Sequence, residues 1–358
     1  MRSTVTILIH RLGSLGDFVV ALPSFHLIRR AFPKAKVVLM TNYPGSEKEI
    51  PAMDVLAGSG LCDDSIAYPI AMRNPREVLA LRRKIKPYSF DMAVQLNSNR
   101  SRLYGYLSYL LLRTCGVRNV VGAPRGATDM PYRDCRDTLV EQESSRLMRR
   151  LRSIGQIELS DRASWDLRLS AAEREGATTL LREESMPRGF IVASVGTKVP
   201  AKDWGAENWE KLAAIVSKRH PRLGLVLVGV AEESARSEGV RRAWAGPSLN
   251  LCGECSPRVS AAVLERAALF VGHDSGPMHL AAVVGAPVVA IFSWHNPPGQ
   301  WFPGCIGWPN IKVLYPALPD GIWKPVLSLE RSPSRGILSI KVEEVAQECS
   351  KLLGRIGN

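Results

Sequence analysis

The chain has 358 residues, of which 46% are hydrophobic and 23% charged, a composition typical of a globular protein long enough for two domains. Its formal net charge is +13, and residues 1–170 carry +10 of it, with 26 Lys and Arg against 16 Asp and Glu. This bias favours phosphorylated ligands, nucleic acid or acidic membrane surfaces as partners and does not choose among them.

Neither a membrane span nor a signal peptide is indicated. The longest apolar runs are interrupted by Gly, Pro or Tyr, and the first one, residues 5–9, is too short for either role. We therefore expect a cytoplasmic protein. The seven irregularly spaced cysteines favour reduced thiols. Cys252 and Cys255 have ligand-like spacing, but no second such pair lies nearby, so we expect a turn there and no metal site.

The first half alternates short apolar runs with amphipathic ones, which predicts a parallel sheet covered by helices. The predicted strands are residues 4–9, 36–41, 64–69, 90–96 and 119–122, and the predicted helices are residues 17–32, 75–86, 100–115 and 138–154. Weakly patterned polar sequence then runs to about residue 170. We place the connection between two domains there.

The second half repeats this pattern after a capping box formed by Ser170 and Glu173. The predicted strands are residues 190–195, 224–229, 249–251, 269–271 and 287–292, and the predicted helices are residues 207–220, 232–244, one begun by Ser256-Pro257, 276–284 and 342–353. Residues 293–339 are expected to form loops over one face. The sequence therefore predicts two Rossmann-like domains, residues 1–168 and 169–340, and a terminal helix within 341–358.

A glycine-containing turn leaves the first strand and enters the first helix, with Arg11, Gly13, Ser14, Gly16 and Asp17 as its members. Its glycines allow a ligand to approach the backbone, and the helix N-terminus offers unpaired N–H groups. The spacing is GxxG and not GxGxxG, which disfavours NAD. Asp17 is either a helix-capping carboxylate or a general base at the carboxyl edge of the sheet.

The loop after the strand at 190–195 contains Thr197, Lys198 and Lys202. Two lysines and a threonine in this position suit a diphosphate, whose negative charge grows as it departs. The same residues also fit an ordinary solvated loop. No Walker A pattern is present, so ATP hydrolysis is not indicated.

The most specific motif is a strand followed by a turn at Asp274, Ser275 and Gly276 and by a helix of small residues that contains His279. Amides at the start of that helix can hold phosphate oxygens. Asp274 is acidic, so we expect it to order the turn or to accept a hydrogen bond from a sugar hydroxyl. The alternative is that Asp274 is an N-cap and His279 a satisfied core histidine.

Together these motifs resemble glycosyltransferase family 9, the heptosyltransferases of lipopolysaccharide assembly. The segments that carry the resemblance, which extends over about residues 5–305, are IHRLGSLGDFVVALPSFHLIRRAFP, FDMAVQLNSN, GTKVPAKDW and FVGHDSGPMHLAAVVGAPVVAIF. The resemblance implies a GT-B fold, an α/β architecture of two Rossmann-like domains whose parallel sheets face each other across a cleft. It further implies an acceptor-binding first domain, a second domain that binds the nucleotide sugar, and a last helix that often packs back on the first domain.

The resemblance also assigns residues. Asp17 matches the family's proposed catalytic base, in an acceptor-side loop with Arg11, Gly13, Ser14 and Gly16. The donor-binding candidates are Thr197, Lys198, Lys202, Glu232, Asp274, Ser275, Gly276 and His279. Lys202 matches the lysine proposed to contact the diphosphate, and either Glu232 or Glu233 lies where an acidic residue holds the ribose. Residues 293–301 depart from the family's GPTDP-like segment, so the donor sugar stays open.

The predicted activity is inverting, metal-independent sugar transfer without a cofactor. The family default is heptose from ADP-heptose, passed to a lipopolysaccharide-type or other cell-surface glycan. The expected partners are a nucleotide sugar, an anionic glycolipid or glycan acceptor, and peripherally the inner face of the inner membrane. Alternatives are a non-catalytic sugar-nucleotide binder, an epimerase, which the missing GxGxxG disfavours, and a basic nucleic-acid-binding protein. No nucleic acid is expected, because no RRM, KH, zinc-finger or helix-turn-helix signature is present.

Overall fold

The computed structural model describes residues 4–44, 50–70, 74–97, 102–123, 139–181, 186, 189–317 and 333–355. These residues form two compact units. The first unit contains the described residues up to 123 and from 141 to 168, and the second contains 139–140 and the described residues from 169 onward. No helix in the described part of the chain is long and apolar enough to cross a membrane.

The first unit is built on a parallel sheet with the strand order β3-β2-β1-β4-β5. Its strands are β1 Thr6–His10, β2 Lys36–Asn42, β3 Asp64–Tyr68, β4 Met92–Gln95 and β5 Val120–Val121. Its helices are α1 Leu15–Val20, α2 Leu22–Ala31, α3 Ala52–Leu56, α4 Pro75–Ile85, α5 Arg102–Thr114 and α6 Glu143–Arg150. The predicted parallel α/β architecture is confirmed. Strand β1 is central and wholly buried, as its continuous apolar run indicates.

Three helices of this unit differ from the sequence prediction. The helix predicted at 17–32 begins at Leu15 and breaks at Ala21, because Pro23 lacks an N–H and its ring blocks a continuous helix. Helix α3 was not predicted. The helix predicted at 138–154 spans only Glu143–Arg150, and residue 138 lies outside the described residues.

The second unit contains a parallel sheet with the strand order β11-β10-β9-β6-β7-β8. Its strands are β6 Phe190–Ser194, β7 Gly224–Leu227, β8 Ser248–Asn250, β9 Leu269–His273, β10 Val288–Ile291 and β11 Ile311–Leu314. Its helices are α7 Ala171–Leu181, α8 Ala206–Arg219, α9 Ser234–Ala243, α10 Pro257–Glu265, α11 Gly276–Val283, α12 Pro333–Leu338 and α13 Val342–Gly354. Strand β11 and helix α12 lie in the segment predicted to be loops, so that prediction was wrong there.

Both predicted helix-start signals are confirmed. The N–H of Ser170 donates to the Glu173 carboxylate at 2.7 Å, and the N–H of Glu173 donates to the Ser170 hydroxyl at 3.2 Å, which is a capping box. The Ser256 hydroxyl accepts the Val259 N–H at 3.3 Å ahead of Pro257.

The terminal helix α13 packs within the second unit. Val345, Ala346, Cys349 and Leu352 are buried in the core cluster that also contains Trp209 of α8. The resemblance had suggested packing on the first domain. Here the apolar face of the helix is covered by the core of its own unit, because these four side chains follow one helical stripe that fits against α8 and the sheet.

Each sheet reverses its strand order at one point. In the first unit the reversal lies between β1 and β4, and in the second between β6 and β9. In open α/β sheets, ligands bind in the crevice outside the carboxyl ends of the strands at such a point. The loops that follow β1, β4, β6 and β9 therefore begin where such a ligand site can form.

Candidate functional site

In the first unit, the turn after β1 folds tightly against Asp17. Gly13 has φ +134°, and a Cβ at this position would overlap the Asp17 carboxylate. Only glycine fits both constraints. Asp17 lies in the third position of α1, and its Oδ2 accepts the N–H of the N-cap residue Ser14 at 2.9 Å. The carboxylate therefore binds an otherwise orphaned N–H of the helix start while its side chain keeps 25% exposure.

Arg11 is completely buried beneath this turn. Its Nη2 donates to the Asp17 carbonyl at 3.1 Å and lies 3.7 Å from Oδ1 of the same residue. Its Nη1 donates to the Leu96 carbonyl and, at 3.0 Å, to Oε1 of Glu143. The sequence analysis placed Arg11 in the acceptor-side loop. In the structure its guanidinium has no exposed surface, so Arg11 holds this turn from within.

Glu143 and Arg146 complete a buried ionic network around Arg11. Arg146 binds the Glu143 carboxylate through Nε at 2.7 Å and Nη2 at 2.8 Å, and also donates to the Asn97 carbonyl at 3.0 Å. Burial by itself raises the pKa of Glu143, but the charges of Arg146 and Arg11 outweigh it, and the pKa lies below its ordinary value. The sequence analysis missed this network, and the only local signal for it is the i,i+3 Glu–Arg spacing on α6.

His10 ends β1 and is also buried. Its Nε2 lies 2.6 Å from the Tyr68 hydroxyl, and its Nδ1 lies 3.2 Å from the Asn97 amide nitrogen. Burial lowers the pKa of His10 to about 3, so the ring is neutral at physiological pH. The amide oxygens of Asn97 and Asn42 each accept a backbone N–H of the Arg11–Ser14 turn at 2.8 Å. The turn is thus held from both neighbouring strands.

In the second unit, the structure brings Lys202 and Asp274 together. Lys202 lies in the loop after β6 and Asp274 directly follows β9. The ammonium donates to Oδ2 of Asp274 at 2.6 Å and to its carbonyl at 3.3 Å. The side chains are 14% and 6% exposed, respectively, so this is a largely buried ion pair. It lies at the reversal point of the strand order, where the fold favours ligand binding.

Asp274 is also held by the loop that departs from the family pattern. The Asn296 amide donates to Asp274 Oδ2 at 2.9 Å, and the Tyr315 hydroxyl donates to the Asn296 carbonyl at 2.8 Å. Burial by itself raises the pKa of Asp274, but Lys202 and the other favourable contacts outweigh it and hold the pKa below its ordinary value. Asp274 is therefore ionised and is not the N-cap of α11, which is Ser275.

The side chain of the N-cap residue Ser275 does not cap the N-terminus of α11. The Ser275 hydroxyl donates to the His273 carbonyl at 3.3 Å and does not accept a helix N–H. His279 is buried, and its Nδ1 has no hydrogen-bond partner among the described residues. Burial lowers the pKa of His279 to about 4. The alternative that His279 is a core histidine whose ring nitrogens are both hydrogen-bonded is therefore wrong, because Nδ1 is unpaired among the described residues.

His273 connects the two ends of the loop that carries the lysines. Its Nε2 accepts the Trp204 N–H at 3.1 Å, and its Nδ1 lies 3.3 Å from the Gly196 carbonyl. A carbonyl can only accept, so Nδ1 carries the proton and the ring is neutral. Burial lowers the pKa of His273 to about 4, which favours this neutral form. The sequence analysis ended this strand at residue 271 and gave His273 no role, so it missed these contacts.

The acidic residue beside the donor loop is Glu233, not Glu232. A Cβ added to Gly196 or to Gly229 would overlap the Glu233 carboxylate, so this side chain lies against the ends of β6 and β7. Glu232 is exposed one residue earlier. The sequence analysis left Glu232 and Glu233 open and included Glu232 among the donor-binding candidates. Residue spacing alone does not define which of two adjacent side chains points toward the sheet edge.

The remaining donor-loop candidates are nearer the surface. The Thr197 hydroxyl donates to the Val199 carbonyl at 3.3 Å and accepts the Val199 N–H at 3.2 Å, so it orders its own loop. Lys198 is exposed. The structure thus brings Lys202, Asp274 and the start of α11 into one cluster and leaves Lys198 at its margin.

The two closely spaced cysteines bond to hydroxyl groups. Sγ of Cys252 lies 3.2 Å from the Ser237 hydroxyl, and Sγ of Cys255 lies 3.6 Å from the Ser260 hydroxyl. Burial raises the pKa of both thiols. Within the ranges that the structure describes, no group of three His, Cys, Asp or Glu side chains is arranged to hold a metal ion.

The two parallel α/β units define the GT-B class of glycosyltransferase folds. Residues 132–303 match the model of glycosyltransferase family 9 (heptosyltransferase). A curated relative, the lipopolysaccharide core heptosyltransferase OpsX of Haemophilus influenzae, is 22% identical over 133 residues. That match covers 37% of this chain and only 38% of the relative's length.

Solved structures match over almost the whole chain. The glycosyltransferase family 9 protein of Veillonella parvula superposes with a TM-score of 0.74 at 18% identity, covering 99% of both chains. The ADP-heptose lipopolysaccharide heptosyltransferase II of E. coli superposes with a TM-score of 0.67 at 17% identity, covering 99% of this chain and 100% of that one. At such low identity these likenesses establish the fold, and the GT-B prediction is confirmed.

Proposed function

We propose that the protein is an inverting, metal-independent glycosyltransferase that moves a sugar from a nucleotide diphosphate sugar to a glycan acceptor. The observation that carries the proposal is the buried Lys202–Asp274 pair beside the start of α11, at the reversal point of the second sheet. A departing diphosphate needs fixed positive charge and N–H donors, and this cluster contains both.

Lys202 is suited to the diphosphate by its geometry. An ammonium has three donors, and Asp274 accepts two of them through its carboxylate and its carbonyl. The third remains for a phosphate oxygen. Because Asp274 and Asn296 hold the lysine in place before the donor arrives, little reorganisation is required as the leaving group gains charge. No resident metal or cofactor is needed if this cluster supplies the charge.

The other donor contacts are assigned by their position around this pair. In the turn at Ser275 and Gly276, the backbone N–H groups of Gly276 and Met278 bind phosphate oxygens, since Pro277 between them has no N–H. Thr197 and Lys198 lie in the loop that carries Lys202. His279 offers its unpartnered Nδ1. Glu233, at the ends of β6 and β7, takes the role of holding the ribose hydroxyls that the sequence gave to Glu232.

In the first unit, Asp17 removes the proton from the acceptor hydroxyl, which attacks the anomeric carbon in line with the departing diphosphate. The Ser14 N–H and the Arg11 guanidinium both favour the ionised carboxylate, which lowers its basicity. Proton transfer is therefore late, when the attacking oxygen has become acidic. Gly13, Ser14 and Gly16 form the acceptor-side backbone, and buried Arg11 keeps it in place.

The donor and acceptor proposed for this protein are those of the heptosyltransferases that it resembles. We propose ADP-heptose as the donor and a lipopolysaccharide-type glycan as the acceptor, reached from the cytoplasm at the inner membrane surface. Residues 293–301 contribute Asn296 to the donor cluster, so the divergence of this segment bears directly on which sugar is accepted.

A panel of ADP, GDP, UDP and CDP sugars tests this proposal. Binding to the native state raises the melting temperature, and we expect the largest rise with ADP-heptose. Mass spectrometry then measures transfer from the bound donor to a deacylated, water-soluble lipopolysaccharide core fragment, with the corresponding nucleoside diphosphate as the matched control. Tight donor binding without transfer or hydrolysis would identify a non-catalytic binder and contradict the proposal.

A further inference from the structure

Helix α5 presents four large apolar side chains to solvent. Leu103, Tyr106, Leu107 and Leu110 keep 66%, 53%, 53% and 37% of their surface exposed. Their spacing is i, i+3, i+4 and i+7, which is one face of a helix. The face that packs on the sheet buries the smaller residues Gly105 and Ser108. Exposed contiguous apolar surface of this kind marks an interaction site more often than a chance arrangement.

Helix α4 lies on the same face of the sheet. Leu81 and Ile85 of α4 share one core cluster with Leu112 of α5 and with Cys115, which directly follows α5. The outward sides of α4 and α5 therefore belong to one layer.

This layer is strongly basic. The exposed cations of α4 are Arg76, Arg82, Arg83 and Lys84, and its one acidic residue is Glu77. Leu79 adds a side chain that is 47% exposed. The sequence of α5 contains no Asp or Glu, and the exposed Arg113 lies in its last turn. Leucines, tyrosine and arginines with almost no carboxylates are the composition of a helix that lies in a membrane interface.

We propose that α4 and α5 form a docking surface for an anionic lipid bilayer. The leucines of α5 enter the boundary between headgroups and acyl chains, and the cations of α4 neutralise lipid phosphates. The pairing of apolar and basic residues argues for lipid over a protein partner, because exposed arginines without complementary carboxylates fit a continuous negative surface. As a route to a glycolipid acceptor, this inference rests on the proposed function.

Vesicle flotation with the full-length protein, in the absence of donor and acceptor, tests the surface. At low salt we expect binding to phosphatidylglycerol-containing vesicles, a fall in binding as salt increases, and little binding to pure phosphatidylcholine. The double variant Leu103→Ser/Leu107→Ser should bind roughly 10- to 100-fold more weakly, because it removes the inserted apolar surface. Arg76→Glu/Arg83→Glu should also bind more weakly and with a reduced dependence on salt.

Two matched controls lie in the second unit. Ile306→Ser removes a side chain that is 45% exposed, and Lys218→Glu reverses the charge of an exposed lysine. Both should bind like the wild type. Equal binding by the α5 variant, or equal losses in the controls, would overturn the proposal. So would a wild-type dimer that Leu103→Ser/Leu107→Ser converts to a monomer, since a second copy would then cover the stripe.

Docking and sugar transfer can fail separately. Transfer to a water-soluble acceptor fragment requires no membrane. If the protein binds the vesicles but transfers no sugar to this fragment, only the proposed function is contradicted. Loss of docking with transfer to the soluble fragment intact would contradict only the docking surface. Unchanged melting temperatures in the variants show that the first unit remains folded.

Discussion

At the scale of single residues, Asp17 combines a structural contact with the proposed chemistry. Replacing Asp17 with Asn keeps an oxygen that can accept the Ser14 N–H. The proton acceptor is lost, so we expect single-turnover transfer to fall by about 10²–10⁴-fold. Donor affinity and melting temperature should change little. Near-normal transfer would leave Asp17 as a structural residue, and the buried, neutral His10 is a poor replacement base.

Lys202 gives a second prediction at this scale. Lys202→Ala should weaken binding of the nucleoside diphosphate by roughly 1.5–3 kcal/mol, the range for hydrogen bonds to charged groups. It should also lower the melting temperature, because Asp274 is left buried without its cation. Adding Asp274→Asn should restore much of that stability and none of the affinity.

Calorimetry and thermal denaturation of the three proteins separate these effects, with Lys218→Ala as the control for loss of an exposed lysine. An unchanged dissociation constant in Lys202→Ala would remove this residue from the donor site. Recovery of affinity in the double variant would show that the single variant acted only through misfolding of the turn.

At the scale of elements, His273 links β9 to the loop after β6. His273→Leu removes the acceptor of the Trp204 N–H and the donor to the Gly196 carbonyl. A buried N–H left without a partner costs about 1–3 kcal/mol of stability. Because the same loop carries Lys202, we expect the KM for the donor to rise more than kcat falls. His273→Leu thus tests a positioning role.

His220→Leu is the matched control for this change. His220 also bonds through one ring nitrogen, at 3.0 Å to the Ser350 hydroxyl, but it lies at the end of α8 away from the donor loop. Steady-state kinetics and chemical denaturation of both variants provide the comparison. An unaltered donor KM in His273→Leu, or an equal rise in His220→Leu, would contradict the positioning role.

At the scale of the whole molecule, buried histidines make stability depend on pH. Burial lowers the pKa of His10 to about 3 and of His273 and His279 to about 4. In the unfolded chain these rings take up protons below about pH 6.5. Between those values the unfolded chain binds more protons than the folded one, so the free energy of unfolding falls as pH decreases.

Each histidine should account for about 2 kcal/mol of this loss at pH 5. Denaturant titrations between pH 7.5 and 4.5 measure the slope, and His273→Leu should reduce it by up to one proton. The carboxylates of Asp274 and Glu143 affect stability in a lower pH range than the histidines. Because their pKa values are lowered in the folded protein, their contribution to the free energy of unfolding stays intact until the pH falls below about 4. A flat stability profile from pH 7.5 to 4.5 would contradict the neutral, buried state of the rings.

The sequence by itself determined the local features. Continuous apolar runs defined the central strands, Ser256-Pro257 and the Ser170–Glu173 pair defined helix starts, and the turns at Asp17 and Asp274 were placed between a strand and a helix. These succeed because strand and helix periodicity, caps and glycine turns depend on residues within a few positions of one another. Pro23, whose effect is also local, was the signal that the analysis overlooked in predicting one long helix.

Only the tertiary structure decided which distant side chains meet. Arg11 and Glu143 are 132 positions apart, Lys202 and Asp274 are 72 apart, and Asn296 reaches Asp274 from a segment predicted only as loop. No spacing rule relates such residues, because they meet where the strand order reverses and where a buried charge requires a partner. The position of Glu233 was decided in the same way, because its carboxylate lies against two glycines that follow separate strands, Gly196 and Gly229.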